Sequence, residues 1–202
     1  MTNDSLTAFL KETGAIRTMA VEDAFRAVDR SRFMREASKR NAYLDTALPI
    51  GDGQTISQPT VVAFCLEWLA AQPGDRVLDV GSGSGWTTTL LAHLVGPVGS
   101  VIGVERIPEL VALGSKNLST YSFTNAHIEQ AGSELGKSES APFARILVSA
   151  SAEEIPETLK RQLADGGRMV IAVRDAICVV DRVGNDFKTV CHEGFAFVPL
   201  VT

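Results

Sequence analysis

Residues 77–86 read VLDVGSGSGW. Apolar Val77, Leu78 and Val80 end in a glycine-rich turn, and the run after it, Trp86–Val95, has helical character. A strand that feeds a helix through such a turn gathers backbone N–H groups at a helix N-terminus, which favours an anionic or hydroxyl-rich ligand. Gly81, Gly83 and Gly85, with Ser82 among them, remove side chains where a ligand must approach the backbone. Glu105 closes the next apolar run and Arg106 follows it. A carboxylate there can accept two hydrogen bonds from a ribose. A dinucleotide fingerprint, G-x-G-x-x-G, would need glycine at 86, where Trp86 stands. A glycine turn alone could merely join strand to helix. Its combination with Asp79 and Glu105 favours a nucleoside cofactor.

Working outward, strands and helices alternate. The pattern predicts strands at Arg76–Val80, Ser100–Glu105, Ala126–Glu129, Arg145–Ser149 and Arg168–Val173. Helices are predicted at Pro59–Ala71, Trp86–Val95, Pro108–Leu118 and Pro156–Ala164. Such alternation implies an α/β fold with a doubly wound, mostly parallel sheet. Two β-type runs around Gly184-Asn185-Asp186 imply an antiparallel hairpin at one edge. Gly132–Ala141 reads as loosely structured.

The first fifty residues read as a helical preface. Leu6, Phe9 and Leu10 form one apolar stripe, and Val21, Ala24, Phe25 and Val28 a second. At 202 residues the chain suits one domain, with residues 1–56 as preface and active-site loop and 57–202 as the α/β core.

Hydrophobic residues make up 45% and charged residues 21%, enough apolar material for a proper core. The net charge of −5 is spread out, which argues against nucleic acid as a partner. No stretch approaches the ~20 apolar residues that span a bilayer, and MTNDSLTAFLKETG lacks the basic start of a signal peptide. A cytoplasmic protein without a membrane partner follows. Cys65 and Cys178 lie in apolar runs and read as buried packing residues; Cys191 completes an odd count. The isolated His93, His127 and His192 suggest no metal site.

A second cluster, GDGQTISQPT at 51–60, precedes the glycine turn. Its Ser57 can cap the next helix, and Pro59 fits an early helical position. Asp79, two places before the first glycine, resembles motif I of the AdoMet-dependent methyltransferases. The chain is then similar to the protein-L-isoaspartate O-methyltransferase family. The resemblance runs through AFRAVDRSRF (24–33), AYLDTALPIGDGQTISQP (42–59), VLDVGSGSGWTTTLLAHLVG (77–96) and VIGVERIPEL (101–110). It continues in ILVSASAEEIP (146–156), QLADGGRMVIAV (162–173) and FVPL (197–200).

The resemblance implies a Rossmann-like fold. It also implies S-adenosyl-L-methionine as cofactor, S-adenosyl-L-homocysteine as product and no metal. The implied substrates are isoaspartyl-containing peptides or proteins, methylated on the free carboxylate by a monomer. Ser57, Thr55 and Gln54 become the catalytic candidates. Asp79, Gly81, Ser82, Gly83, Gly85, Glu105, Arg106, Gly132 and Ser133 become the cofactor-binding ones. Ile56, Ser149 and Ala150 fall to the substrate cleft.

Several positions depart from the family pattern. Ser133 stands where the family has an aspartate for the adenine amino group, with Glu134 as a substitute. Ala144 replaces the aspartate of a Pro-aromatic-Asp segment. Val173-Arg174-Asp175 replaces a glycine-rich loop, and Asp29 replaces a proline, a change expected to touch only a helix end. Two alternatives therefore stay open: a non-catalytic AdoMet-binding or interaction protein, and a methyltransferase for another carboxylate. A nicotinamide oxidoreductase is a distant third.

Overall fold

A computed structural model describes residues 1–197, so residues 198–200 of the FVPL stretch lie outside the described residues. Its centre is β3 (Arg76–Val80), whose Val77, Leu78, Asp79 and Val80 are all buried. A strand buried on both faces is what a near-continuous apolar run gives when helices cover both sides of a parallel sheet. β3 pairs in parallel with β4 (Ser100–Glu105) and with β6 (Phe143–Ala152). β5 (Ala126–Gln130) pairs in parallel with β4, and β7 (Leu163–Val173) with β6. β8 (Ala176–Val183) and β9 (Asp186–Glu193) add antiparallel strands, giving the order β5-β4-β3-β6-β7-β8-β9. The chain runs out to β5 and returns to lay β6 beside β3. A crevice therefore opens between them at the carboxyl ends of the strands, where open α/β sheets hold ligands.

The helices α3 (Pro59–Leu69), α4 (Trp86–Val95) and α5 (Pro108–Leu118) lie where the sequence puts them, within two residues. Every residue of α4 except His93 is buried, because α2 (Met19–Ala27) packs on the face turned away from the sheet. This explains a helix with almost no polar side. One apolar cluster runs from Leu6 through α2, α3 and α4 to Val179, so the preface and the sheet share a core.

Several expectations need correction. The preface is not helical throughout: α1 (Asn3–Glu12) and α2 are followed by two 3-10 turns and then a small hairpin, β1 (Leu48–Gly51) with β2 (Gln54–Ile56). Phe9 is 40% exposed, and Thr7 takes the buried place on α1 with its hydroxyl bonded to Asn3 O. The expected helix over 156–164 shrinks to α6 (Glu157–Arg161), and β7 begins before the glycine pair, at Leu163. Gly166 and Gly167 fall in a break of register between β6 and β7, where the missing side chains let the strand kink and resume. Cys178 is buried but is not a lone packing thiol. It faces Cys191 across the β8–β9 ladder, and the two form a disulfide. Cys65 is buried and free, its thiol pushed up to about 12 by burial.

Candidate active site

A cleft holding about 1090 Å³, open mouth included, sits over the carboxyl ends of β3, β4, β5 and β6. Each strand delivers one wall. After β3 come Gly81, Ser82 and Gly83; after β4, Glu105 and Arg106; after β5, Gly132 and Ser133; from β6, Ser149 and Ala150. The hairpin side supplies Gln54, Thr55, Ile56 and Ser57. These thirteen sequence candidates therefore meet around one space. Asp79 and Gly85 lie outside the lining, beneath the turn.

The positions of those two follow from packing. Asp79 is fully buried, and its Oδ2 accepts hydrogen bonds from Thr87 (2.7 Å) and Thr88 (2.6 Å). Burial pushes its carboxyl up to about 6, against the pull of the two threonines and with a smaller push from Glu105. Gly85 has φ of 83°, and a Cβ there would fall 2.8 Å from Gly114 O on α5. Its lack of a side chain serves the seating of the turn against α5. At Gly81 the nearest neighbour of such a Cβ is Ala150 Cβ at 3.9 Å, so the space beside it belongs to the cleft.

Glu105 is buried at the end of β4. Its two oxygens accept from the backbone N–H of Gly83 and of Ile107, both at 2.9 Å. These bonds lock the carboxylate across the glycine turn and leave each oxygen a lone pair. Among the described residues, three polar atoms near the turn are buried without a partner: Asp79 Oδ1, Ser82 Oγ and Trp86 Nε1. Buried polar groups are normally hydrogen-bonded, so the unpaired Ser82 and Trp86, which both line the cleft, fit a bound polar ligand. Ile107 and Leu110 add an apolar patch on the same wall, suited to a flat base.

The opposite wall is the β1–β2 hairpin. Asp52 and Gly53 turn it with φ of 53° and 72°, the pair of positive values that a two-residue primed turn demands. Asp-Gly shortly after the apolar run Ala47–Ile50 was the available signal for this hairpin. Arg35 fills the place where a Cβ on Gly51 would stand, its Nε donating to Ile50 O and its Nη2 standing 3.7 Å from Asp52. Ile50 reaches across to the glycine turn, and its Cδ1 would stand 3.3 Å from a Cβ on Gly83.

Ser57 does not cap α3. Gln58 is the N-cap and makes no side-chain cap bond, while Asp45 Oδ1 accepts from Thr60 N at 2.8 Å and Oδ2 from Thr60 Oγ1 and Gln58 Nε2. The helix start is served by an acidic residue fifteen positions before the N–H that it caps. Among the described residues no protein group bonds the Ser57 hydroxyl, which lines the cleft beside Thr55.

A family model described as protein-L-isoaspartate(D-aspartate) O-methyltransferase matches residues 1–202. The chain belongs to this family. A protein-L-isoaspartate O-methyltransferase of Anaeromyxobacter dehalogenans (strain 2CP-1) is 48% identical over 172 residues, 85% of this chain and 80% of that one. Another, of Methanopyrus kandleri, is 41% identical over 198 residues, covering 95% and 88%. Among solved structures, a Plasmodium falciparum beta-aspartate methyltransferase in complex with S-adenosyl-L-homocysteine superposes with a TM-score of 0.88. It is 30% identical and covers 100% of this chain and 99% of that one.

Departures from the isoaspartate methyltransferase pattern have visible surroundings. Ser133 lines the cleft, and the neighbouring Glu134 accepts from the Ser138 hydroxyl. Arg174 and Asp175 make a two-residue turn between β7 and β8, with Arg174 at φ of 53° and its O accepting from Ser151 Oγ at 3.0 Å. Asp29 does more than end a helix. Its N–H donates to Tyr121 Oη (2.9 Å), and its carboxylate accepts from Ser31 N (2.9 Å) and Tyr43 Oη (3.1 Å). A proline there could donate nothing. Trp86, which breaks the dinucleotide fingerprint, is buried against Phe25 and also lines the cleft.

Proposed function

We propose that this chain transfers the methyl group of S-adenosyl-L-methionine to the free carboxylate of L-isoaspartyl residues in damaged peptides and proteins. S-adenosyl-L-homocysteine is the product, and the methyl ester starts the return to a normal aspartyl linkage. In this reading the chain works in the cytoplasm as a monomer of one domain, without metal. The observation that carries it is the unengaged Ser57 hydroxyl facing a glycine turn of the methyltransferase type, in a chain of this family.

The cofactor brings a methyl group made electrophilic by a positive sulfur. Gly81, Ser82 and Gly83 would cradle its amino-acid portion, with Asp79 beneath supplying negative charge and Gly85 shaping the turn. Glu105 would take the ribose hydroxyls, with Arg106 beside it, while Gly132 and Ser133 would border the base. Ser133 offers a neutral hydroxyl where a carboxylate would bond more strongly.

An acceptor carboxylate, with an ordinary pKa near ~3.9, is already ionised at neutral pH and needs no base. Its oxygen forms the new bond to the methyl carbon while the carbon–sulfur bond breaks and sulfur keeps the electron pair. The protein's task is alignment and exclusion of water, which can contribute ~7–11 kcal/mol. Ser57 and Thr55 steer the carboxylate, Gln54 and Ile56 shape the wall, and Ser149 and Ala150 border the peptide.

Two synthetic peptides, identical except for isoaspartyl or aspartyl linkage, test this with AdoMet as methyl donor. Methyl ester on the isoaspartyl peptide alone is expected. No ester on either, in a sample that binds AdoMet by calorimetry, would point to another carboxylate or to a binding protein. Ser133 and the short β7–β8 turn are the features that favour that second reading.

A further inference from the structure

Arg30 is the largest fully buried side chain among the described residues. Among them its guanidinium makes no hydrogen bond to a carboxylate. Nη1 donates to Ala42 O (2.7 Å) and Leu44 O (3.2 Å), and Nη2 to Thr46 O (2.8 Å) and Ser57 O (2.9 Å). The group lies over the Trp86 ring, 5.2 Å from its centre, and Nε has no partner among the described residues. Burial lowers the guanidinium to about 10, with Asp45 pulling the other way, so it stays charged at neutral pH. Taking a cation out of water costs several kcal/mol even after relaxation. Ordinary packing at this spot needs no charge.

What a guanidinium offers instead is a rigid planar fork of donors. Here the fork joins chain segments that lie on both sides of the β1–β2 hairpin. Ala42, Leu44 and Thr46 lead into β1, and Ser57 follows β2. Both stems of the hairpin are tied to one flat group. The bond to Ser57 O sets the plane of the Ser57–Gln58 peptide. The guanidinium stands over the ring of Trp86, which opens α4 and lines the same cleft. Arg30 thus bridges the acceptor wall and the cofactor wall from behind, out of reach of either reactant.

We infer that Arg30 is a positioning residue for methyl transfer, its guanidinium fixing the placement of Ser57 and Thr55 relative to the glycine turn. The inference rests on the proposed carboxyl methylation. In-line transfer is sensitive to such placement, since a shift of ~1 Å can cost ~100-fold in rate.

The test compares the full chain with Arg30→Lys, which keeps the charge but not the fork, and with Arg30→Ala. Arg30→Lys is expected to lower kcat on the isoaspartyl peptide by about 30-fold or more. KM for the peptide and the calorimetric Kd for AdoMet should stay within about threefold. Millimolar free guanidinium should restore the Arg30→Ala rate by about tenfold. Amide hydrogen exchange should quicken at residues 42–58 and stay unchanged in β3, β4 and β6.

A kcat for Arg30→Lys within threefold of the original would overturn the inference. So would a loss that merely follows the unfolded fraction and ignores guanidinium. If Arg30→Ala does not fold, Arg30→Lys decides alone. If the original chain makes no methyl ester, the activity reading fails and exchange decides this one. Faster exchange confined to 42–58 sustains it; unchanged or uniformly faster exchange overturns it.

Discussion

Ser57 has no structural duty for its hydroxyl, because Asp45 holds the start of α3 in its place. This separation makes a sharp substitution possible. Ser57→Ala should lower methyl transfer to an isoaspartyl peptide at least about tenfold, ~1.4 kcal/mol of transition-state stabilisation. Its melting temperature should hardly move, because no cap is lost. Initial rates and a thermal melt on the same preparation check both halves. The string GQTIS made Ser57 legible as a candidate, since a glycine, an amide and two hydroxyls gathered between apolar runs ask for a reason. The true cap was not legible. Asp45 reaches α3 only through the fold of the loop between them, and helix-capping patterns look a few residues upstream, not fifteen. Arg30 was invisible for the same reason, since its four carbonyl partners are spread over residues 42 to 57.

At the scale of elements, the glycine turn divides its glycines between two jobs. Gly85→Ala would push a Cβ to 2.8 Å from Gly114 O and 2.9 Å from Ile128 Cδ1, at a φ of 83°. The strained backbone and the overpacking together should cost about 3 kcal/mol, read as a lower urea midpoint. Gly81→Ala meets no protein atom closer than 3.9 Å and pays only for its φ of 77°, about 1 kcal/mol, so its larger effect should fall on AdoMet binding. Calorimetry beside urea unfolding separates the two. Strand and helix placement around this turn was readable because β3, α4, β4 and α5 have clean apolar periods. The elements that escaped are short or lean on distant partners. β1–β2 depends on Arg35 lying against Gly51, and α6 yields to β7 because the pairing of Leu163 with Phe143 starts the strand early.

Across the whole molecule, the buried charge beneath the turn sets a pH dependence of stability. The Asp79 carboxyl sits at about 6 in the folded protein and returns to near ~3.9 when unfolded. Between those values the folded chain holds the proton more firmly than the unfolded one, so this group's contribution to stability falls as pH rises through that window. The full difference is roughly 3 kcal/mol at 1.36 kcal/mol per pKa unit. Asp79→Asn should remove it, flattening the change in urea midpoint between pH 4 and pH 7 relative to the unaltered chain. An unchanged slope would mean that Asp79 is ionised without penalty. The sheet order itself was not fully legible. Alternating elements announce a parallel sheet, but which strand returns beside β3 depends on packing across the whole chain.

That order has a practical side. β8 runs away from the cleft, so the Gly184-Asn185 turn that ends it lies at the opposite end of the sheet. It is also two strands beyond β6, roughly 10 Å sideways at ~4.8 Å per strand. A fluorescent label or an affinity handle grafted into this turn would ride on the molecule like a flag on a stern, far from the oarlocks.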